Sequence, residues 1–165
     1  LLVSGDDAGQ IVVWDVPAGK EVRRWSIKGW TYSLALSADA QQLVISERLP
    51  YSYAQSYPQR YGAVKLWDPA TGQMRHDLSP LIKTEHVVAA AFSPDGKVVA
   101  LAQGGEFEAS NAKLRLVDAQ SGKLLRELAG HTAPVRDIAF CPGSSVLASA
   151  GEDQMVKLWI GTAGG

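Results

Sequence analysis

A chain of 165 residues with 46% hydrophobic and 20% charged side chains can build a packed core, which excludes an intrinsically disordered protein. The net charge of −1 offers no basic excess for phosphate backbones or anionic lipid, so neither a nucleic acid nor a membrane is predicted as a partner. The single cysteine, Cys141, excludes an intramolecular disulfide and a four-cysteine zinc site. No signal peptide is recognised, which leaves the compartment open, with the cytoplasm as the default expectation.

The sequence repeats itself four times, and each copy ends in the same way. The ends are residues 11–15 (IVVWD), 64–68 (VKLWD), 114–118 (LRLVD) and 156–160 (VKLWI), each with a glycine five residues beyond the Trp or Val position. Three copies share an upstream block, at 33–37 (SLALS), 89–93 (AAAFS) and 137–141 (DIAFC), followed by a turn and another apolar run. The copies recur at 42 to 53 residues. Short strands at this spacing, separated by turns, predict repeated four-stranded antiparallel sheets.

The strand that follows each turn is nearly all apolar, as in residues 98–102 (VVALA). Such a strand has to be covered on both faces. Sheets stacked against one another provide that cover, whereas a sandwich with one solvent-exposed face does not.

The fourth copy resembles a complete WD repeat of the β-propeller family. It contains Gly130 and His131, then 135–142 (VRDIAFCP), 147–153 (LASAGED) and 156–159 (VKLW). The other copies match more loosely, so the resemblance covers the chain in four copies, and their residue types resemble bacterial versions of the repeat. The resemblance implies an all-β propeller fragment of four-stranded antiparallel blades with strands a to d.

On this resemblance the chain would hold about 14 strands, with incomplete first and last blades. A closed ring of the usual size needs roughly twice this length, so we expect part of a longer propeller. The expected parts are strands b–d of blade one (1–28), blade two (29–82), blade three (83–129) and strands a–c of blade four (130–165).

His131, Ser149 and Asp153 are the residue types of a hydrolase triad, but the resemblance implies another role. In WD repeats the equivalent side chains join the one at Trp159 in a buried, hydrogen-bonded tetrad, which satisfies polar groups that are costly inside a sheet stack. A nucleophile requires exposure and an oxyanion hole, and the sequence contains no G-x-S-x-G elbow. We therefore predict a structural tetrad and no catalytic residue.

The earlier blades keep only part of this tetrad. Blade one retains Ser4 and Trp14. We expect the incomplete blades to depend on apolar packing instead. The replaced positions are Ala8 for the aspartate, Val117 for the tryptophan, and Ile27 and Lys83 for the histidine.

Two insertions lie between strands b and c of blades two and three, at 48–61 and 104–111. In the family these turns share one face of the propeller, the top face, with the d–a loops. The first insertion holds four of the five tyrosines, and mixtures of Tyr, Ser and Arg suit protein recognition. The second is acidic and contains Phe107. Such loops can also fold over a neighbouring blade and shield apolar surface, so both interpretations stay open.

The family's usual contact positions fall, by alignment, at the entrances of strand a and in the b–c turns. The entrances hold Trp30 and Tyr32, His86 and Val88, and Pro134 and Arg136. With the insertions, the partner-binding candidates are Asp7, Trp30, Tyr32, Tyr51, Tyr53, Tyr57, Tyr61, His86, Phe107, Arg136 and Glu152.

These candidates predict a non-enzymatic protein-protein interaction scaffold that takes a protein or peptide on its top face, with no metal and no cofactor. An alternative is a sensory or regulatory propeller domain of a multidomain signalling protein, with a catalytic module outside this chain. A propeller enzyme would need convergent carboxylates, histidines or metal ligands at the strand-a entrances, and the residues there do not form such a set.

Overall fold

The computed structural model describes residues 1–49, 62–82, 86–104 and 112–162. These residues form 14 strands in four antiparallel sheets and one short helix, α1 (Ser79–Ile82). The prediction of an all-β fold built from propeller-type sheets is confirmed. In the described ranges, no helix combines the length and the apolar character that crossing a bilayer demands.

Within each sheet the strands lie in chain order. Sheet 1 contains β1 (Leu2–Gly5), β2 (Gln10–Asp15) and β3 (Lys20–Ser26); sheet 2 contains β4 (Trp30–Leu36), β5 (Leu43–Arg48), β6 (Gly62–Asp68) and β7 (Gln73–Asp77). Sheet 3 contains β8 (Val87–Phe92), β9 (Val98–Gln103), β10 (Lys113–Asp118) and β11 (Leu124–Ala129); sheet 4 contains β12 (Val135–Phe140), β13 (Leu147–Gly151) and β14 (Val156–Trp159).

Local turn chemistry fixes the connections between strands. In the β6–β7 turn, the carboxylate of Asp68 accepts hydrogen bonds from the amides of Ala70 and Thr71, at 2.9 and 3.1 Å. Gly72 completes that turn with a φ of 71°, a left-handed conformation that favours glycine. Asp118 and Gly122 repeat the arrangement between β10 and β11, which is why a glycine stands five residues after both Trp67 and Val117.

Consecutive sheets stack through three apolar cores, and equivalent strand positions are buried each time. The innermost strands β4, β8 and β12 lie side by side, and all six residues of β9 are buried, which explains its apolar sequence on both faces. The pairs that face each other are Ile11 and Val13 with Leu43 and Ile45, Val64 and Leu66 with Val99 and Leu101, and Leu114 and Leu116 with Ile138 and Leu147.

Each innermost strand contains a β-bulge at the same place near its start. The pairing register shifts between Thr31 and Ser33 in β4, and at the equivalent points of β8 and β12. The extra residues are Tyr32, Val88 and Arg136. A bulge redirects the side chain of the extra residue, so the fold itself turns these three positions away from regular sheet pairing.

Candidate interaction surface

The four tetrad residues of sheet 4 form one continuous chain of hydrogen bonds. His131 Nδ1 lies 2.9 Å from the carboxylate of Asp153, and His131 Nε2 lies 2.7 Å from Ser149 Oγ. The indole N–H of Trp159 donates to the same Oγ at 2.9 Å. With Nδ1 donating to Asp153, Nε2 accepts the proton of the Ser149 hydroxyl. Ser149 is buried and bonded on both sides, so its oxygen is not offered to a substrate.

Asp153 closes the tetrad through the backbone as well as through His131. Burial raises the pKa of this carboxyl, but hydrogen bonds from His131 and from the amides of Thr132 and Met155 outweigh burial and hold the pKa below its usual value. A Cβ on Gly151 would lie 2.6 Å from His131 Nδ1, so the space beside the imidazole is available only to glycine.

Sheet 2 keeps the tryptophan of this arrangement without its acceptor. Trp67 pairs with Leu43 as Trp159 pairs with Leu147, and the residue two positions further along strand b is Ile45 where sheet 4 has Ser149. The indole N–H of Trp67 therefore has no hydrogen-bond partner among the described residues. Its ring packs against that of Trp25, with centroids 6.0 Å apart, in the core between sheets 1 and 2. In sheet 1, Trp14 still donates to Ser4 Oγ at 2.9 Å.

Polar pairs that the sequence analysis did not single out lie at the top ends of sheets 2 and 3. Lys65 Nζ is 2.7 Å from Oε1 of Glu47, whose side chain has no exposed surface. At the equivalent positions of sheet 3, Arg115 donates to the side-chain oxygen of Gln103, and Gln103 Nε2 donates to the carbonyl of Ile82 at 3.1 Å. Sheets 2 and 3, which lack the complete tetrad, are therefore held by buried polar pairs as well as by apolar packing. The available signal was a polar residue at the same place, the end of an otherwise apolar strand b.

Two aromatic side chains of sheet 2 are exposed on the top face. Trp30 and Tyr32, at the start of β4, are each 46% exposed. The guanidinium carbon of Arg48 lies 5.9 Å from the centre of the Trp30 ring. The ring of Tyr32 stacks on that of His86, with centroids 6.4 Å apart and planes inclined by 26°. The structure thus brings together three predicted candidates, Trp30, Tyr32 and His86, from two sheets.

On the same face, sheet 4 presents a pair of charged side chains instead of aromatic rings. Arg136 donates through Nε to Glu152 Oε1 at 2.8 Å, and the backbone amide of Glu152 donates to the carbonyl of Pro134 at 2.9 Å. Both charged side chains are about half exposed. Asp7 is exposed in the turn between β1 and β2 of sheet 1.

Comparison with known proteins agrees with the repeat read from the sequence. Residues 122–159 match the family described as WD domain, G-beta repeat. The chain therefore contains a WD repeat and is similar to WD-repeat proteins. WD-repeat proteins are in general non-enzymatic scaffolds for protein interactions.

Relatives of this WD-repeat chain include proteins of different described roles. The meiotic recombination protein rec14 of Schizosaccharomyces pombe is 24% identical over 89% of the chain and 62% of its own length. The nuclear distribution protein PAC1 of Arthroderma benhamiae is 35% identical over 59% of the chain and 21% of its own length. The human WD repeat and SOCS box-containing protein 1 is 36% identical over 59% of the chain and 22% of its own length. The chain therefore spans less than two thirds of each of these relatives.

Several candidates in the two insertions of this WD-repeat chain lie outside the described residues. They are Tyr51, Tyr53, Tyr57, Tyr61 and Phe107. Lys83, at a histidine position, also lies outside them.

The described residues also contain a cleft and an inter-sheet histidine contact, both away from the tetrad. In the four described ranges, no three His, Cys, Asp or Glu side chains are grouped to hold a metal ion. A cleft of about 320 Å³ lies at the turn ends of sheets 2 and 3, where Gln42, Arg75 and Lys97 are among its lining residues, and no tetrad residue borders it. His76 Nε2 lies 2.8 Å from the carbonyl oxygen of Gln120, in a contact between sheets 2 and 3.

Proposed function

We propose that this chain is a non-enzymatic protein-protein interaction scaffold whose top face, across sheets 2 to 4, takes a protein or peptide. One observation carries the proposal: Trp30 and Tyr32 are half exposed at the start of β4, the strand of sheet 2 that packs against β8 of sheet 3. Aromatic side chains held at a surface by a rigid base are the usual anchors of protein interfaces. On this proposal the chain contributes four consecutive blades, 1–28, 29–82, 83–129 and 130–165, to a longer propeller.

The mechanism of this scaffold is rigid display. Three apolar cores hold the sheets together, so the strand entrances cannot move independently. The bulges at Tyr32, Val88 and Arg136 then turn one side chain per sheet away from the regular ladder. Because the anchors are ordered before a partner arrives, binding costs less conformational entropy.

The two insertions belong to the same proposed surface. Arg48 pairs with Trp30 on one side and with Gly62 on the other, so the insertion of residues 48–61 leaves and re-enters the sheet beside Trp30. We therefore keep Tyr51, Tyr53, Tyr57, Tyr61 and Phe107 as candidates for partner contacts. If these loops instead shield a neighbouring sheet, their substitution would lower the stability of the fold without a separate effect on partner binding.

The arrangement at Ser149 supports a scaffold in preference to a hydrolase. Its hydroxyl is bonded to His131 and Trp159 and is buried. A serine nucleophile needs a free path to its oxygen and donors for an oxyanion.

The test is capture of partners by the double variant Trp30→Ala, Tyr32→Ala. We expect it to lose the proteins that the wild-type chain enriches in quantitative affinity purification, since the anchors are gone, while its melting temperature stays close to that of the wild type. The matched control is Val22→Ala, Leu125→Ala, which removes two side chains of similar exposure from the outer strands β3 and β11. Equal capture by the double variant and the control would overturn the proposed surface.

The alternative, a regulatory domain attached to a catalytic module, stays a prediction. Sequencing the flanking coding region tests it, because only a catalytic module encoded in the same reading frame would support it.

A further inference from the structure

We propose that the top face recognises an acidic segment of its partner, in which carboxylates meet Arg48 and Lys28 and apolar side chains cover Trp30 and Tyr32. This inference rests on the proposed function, because it names the partner chemistry of the same surface. It depends on charge and geometry that the scaffold proposal itself does not use.

The first step is the fixed position of the Arg48 guanidinium. Arg48 and Trp30 are paired residues on β5 and β4, and the guanidinium carbon lies 5.9 Å from the indole centre. A cation over an indole face is attracted by the ring, which restricts the rotamers of the arginine. A guanidinium held in this way presents its planar N–H groups to a carboxylate at a low entropic cost.

The second step is that a second cation, Lys28, lies close to Trp30 in the chain. The segment between β3 and β4 packs directly on the end of β5, since a Cβ on Gly29 would lie 2.4 Å from the carbonyl oxygen of Arg48. Lys28 is exposed on this segment, two residues before Trp30. Trp30 is therefore flanked by Lys28 along the chain and by Arg48 across the sheet.

The third step is that two of the described carboxylates near Trp30 are bonded within their own sheets. Glu47 precedes Arg48 but is fully buried and bonded to Lys65. Asp6 Oδ1 accepts hydrogen bonds from the amides of Ala8 and Gln10, at 2.9 and 2.8 Å. Asp7, exposed in the same turn, limits the cationic area on the side of sheet 1. Among the described residues, the cations beside Trp30 are Lys28 and Arg48, and the carboxylates of sheet 1 limit this cationic area on one side only.

The fourth step is the direction in which an acidic segment would run. The Tyr32 ring stacks on His86 and so extends the aromatic surface from sheet 2 to sheet 3. On sheet 4 the paired Arg136 and Glu152 offer no net charge. A partner with acidic side chains at one end and apolar side chains next to them therefore fits the order of Lys28 and Arg48, then Trp30 and Tyr32.

The experiment selects displayed random 12-residue peptides on the immobilised full chain and measures the affinity of the enriched peptides by fluorescence anisotropy. We expect enriched peptides to combine Asp or Glu with neighbouring apolar residues. The variant Lys28→Glu, Arg48→Glu should weaken their binding at least about tenfold, and so should replacement of the peptide carboxylates by amides, because each change removes charge-assisted contacts. The matched control, Lys123→Glu with Arg126→Glu at the outer edge of sheet 3, should bind as the wild type does.

Three outcomes would overturn the inference: no enrichment, enrichment of neutral or basic peptides, or acidic peptides that bind the charge-reversed variant as well as the wild type. If the enriched peptides are neutral and the variant Trp30→Ala, Tyr32→Ala no longer binds them, the partner segment is not acidic, but the scaffold proposal stands. Peptides that bind both variants as well as they bind the wild type would count against both proposals.

Discussion

The imidazole of His131 is bonded on both nitrogens, and its partners are bonded in turn to an indole and to two backbone amides. Removal of any one member leaves the others with buried polar atoms that have no acceptor or donor. Leaving such a group unpaired costs more than the net value of the bond that is lost. The side-chain types of a hydrolase triad therefore act here, on our prediction, as an internal tie between the start of sheet 4 and its β13–β14 turn.

His131→Ala is the direct test of that role. We expect the free energy of unfolding to fall by about 1–3 kcal/mol, because Ser149 and Asp153 each lose a buried partner. His76→Ala is the matched control, since it removes the same side chain from a half-buried site with one backbone contact, and we expect it to cost less. Urea unfolding followed by tryptophan fluorescence measures both, and equal losses would contradict the structural role of the tetrad.

Sheets 2 and 3 use the same two strand positions for different polar pairs. The cross-strand pair is Glu47 with Lys65 in sheet 2 and Gln103 with Arg115 in sheet 3. Arg115 also donates to Glu127 at 2.8 Å, on the neighbouring strand β11. Each pair joins strand b to strand c near the top face, so the strand ends beside the candidate surface are held by buried polar contacts as well as by apolar packing.

Lys65→Met tests how much the buried pair contributes. It leaves the Glu47 carboxylate buried without its cation, and removal of one partner of a buried ion pair costs about 3–5 kcal/mol. Lys113→Met removes an equally long cation from a pair that is 40% and 36% exposed, so it should cost at most about 1 kcal/mol. Adding Glu47→Gln to Lys65→Met should recover part of the loss. Chemical unfolding of the three variants checks this, and the idea is wrong if the two lysine substitutions cost the same.

The strands, their stacking and the components of one tetrad could be predicted from the sequence, because each depends on short, regular spacings. Ser149, Asp153 and Trp159 stand at fixed offsets within one hairpin. Glu47 and Lys65 are 18 residues apart across an insertion, so no regular spacing points to their contact.

The contacts of the top face could also not be predicted from local sequence patterns. The stack of Tyr32 on His86 joins two sheets, and its geometry follows from how those sheets pack. The place of Arg48 over Trp30 depends on the register of β4 with β5. The sequence could therefore nominate Trp30, Tyr32 and His86 as candidates but not their arrangement, and it did not single out Arg48.

Across the whole molecule, the turns opposite the top face repeat one carboxylate arrangement. In the β4–β5 and β8–β9 turns, the hydroxyls of Ser37 and Ser93 donate at 2.6 Å to Asp39 and Asp95. These hydroxyls, with backbone amides, hold the pKa of each carboxyl below its usual value. Arg75 lowers the pKa of Asp68, and the Ser121 hydroxyl lowers that of Asp118. Carboxyl groups whose pKa is lower in the folded than in the unfolded state make the fold less stable in acid.

The expected pH dependence follows from the sign of these shifts. Because the folded pKa lies below the unfolded value of about 4, the stabilisation is fully present above that pH and is lost as the pH falls through the folded pKa. The variant Asp39→Asn, Asp95→Asn should therefore have a lower melting temperature than the wild type at pH 7, and the difference should shrink as the pH falls below about 4. Thermal unfolding followed by circular dichroism between pH 7 and pH 3 measures it. A difference that stays constant or widens in acid would show that the two turn carboxylates do not stabilise the fold through their ionised form.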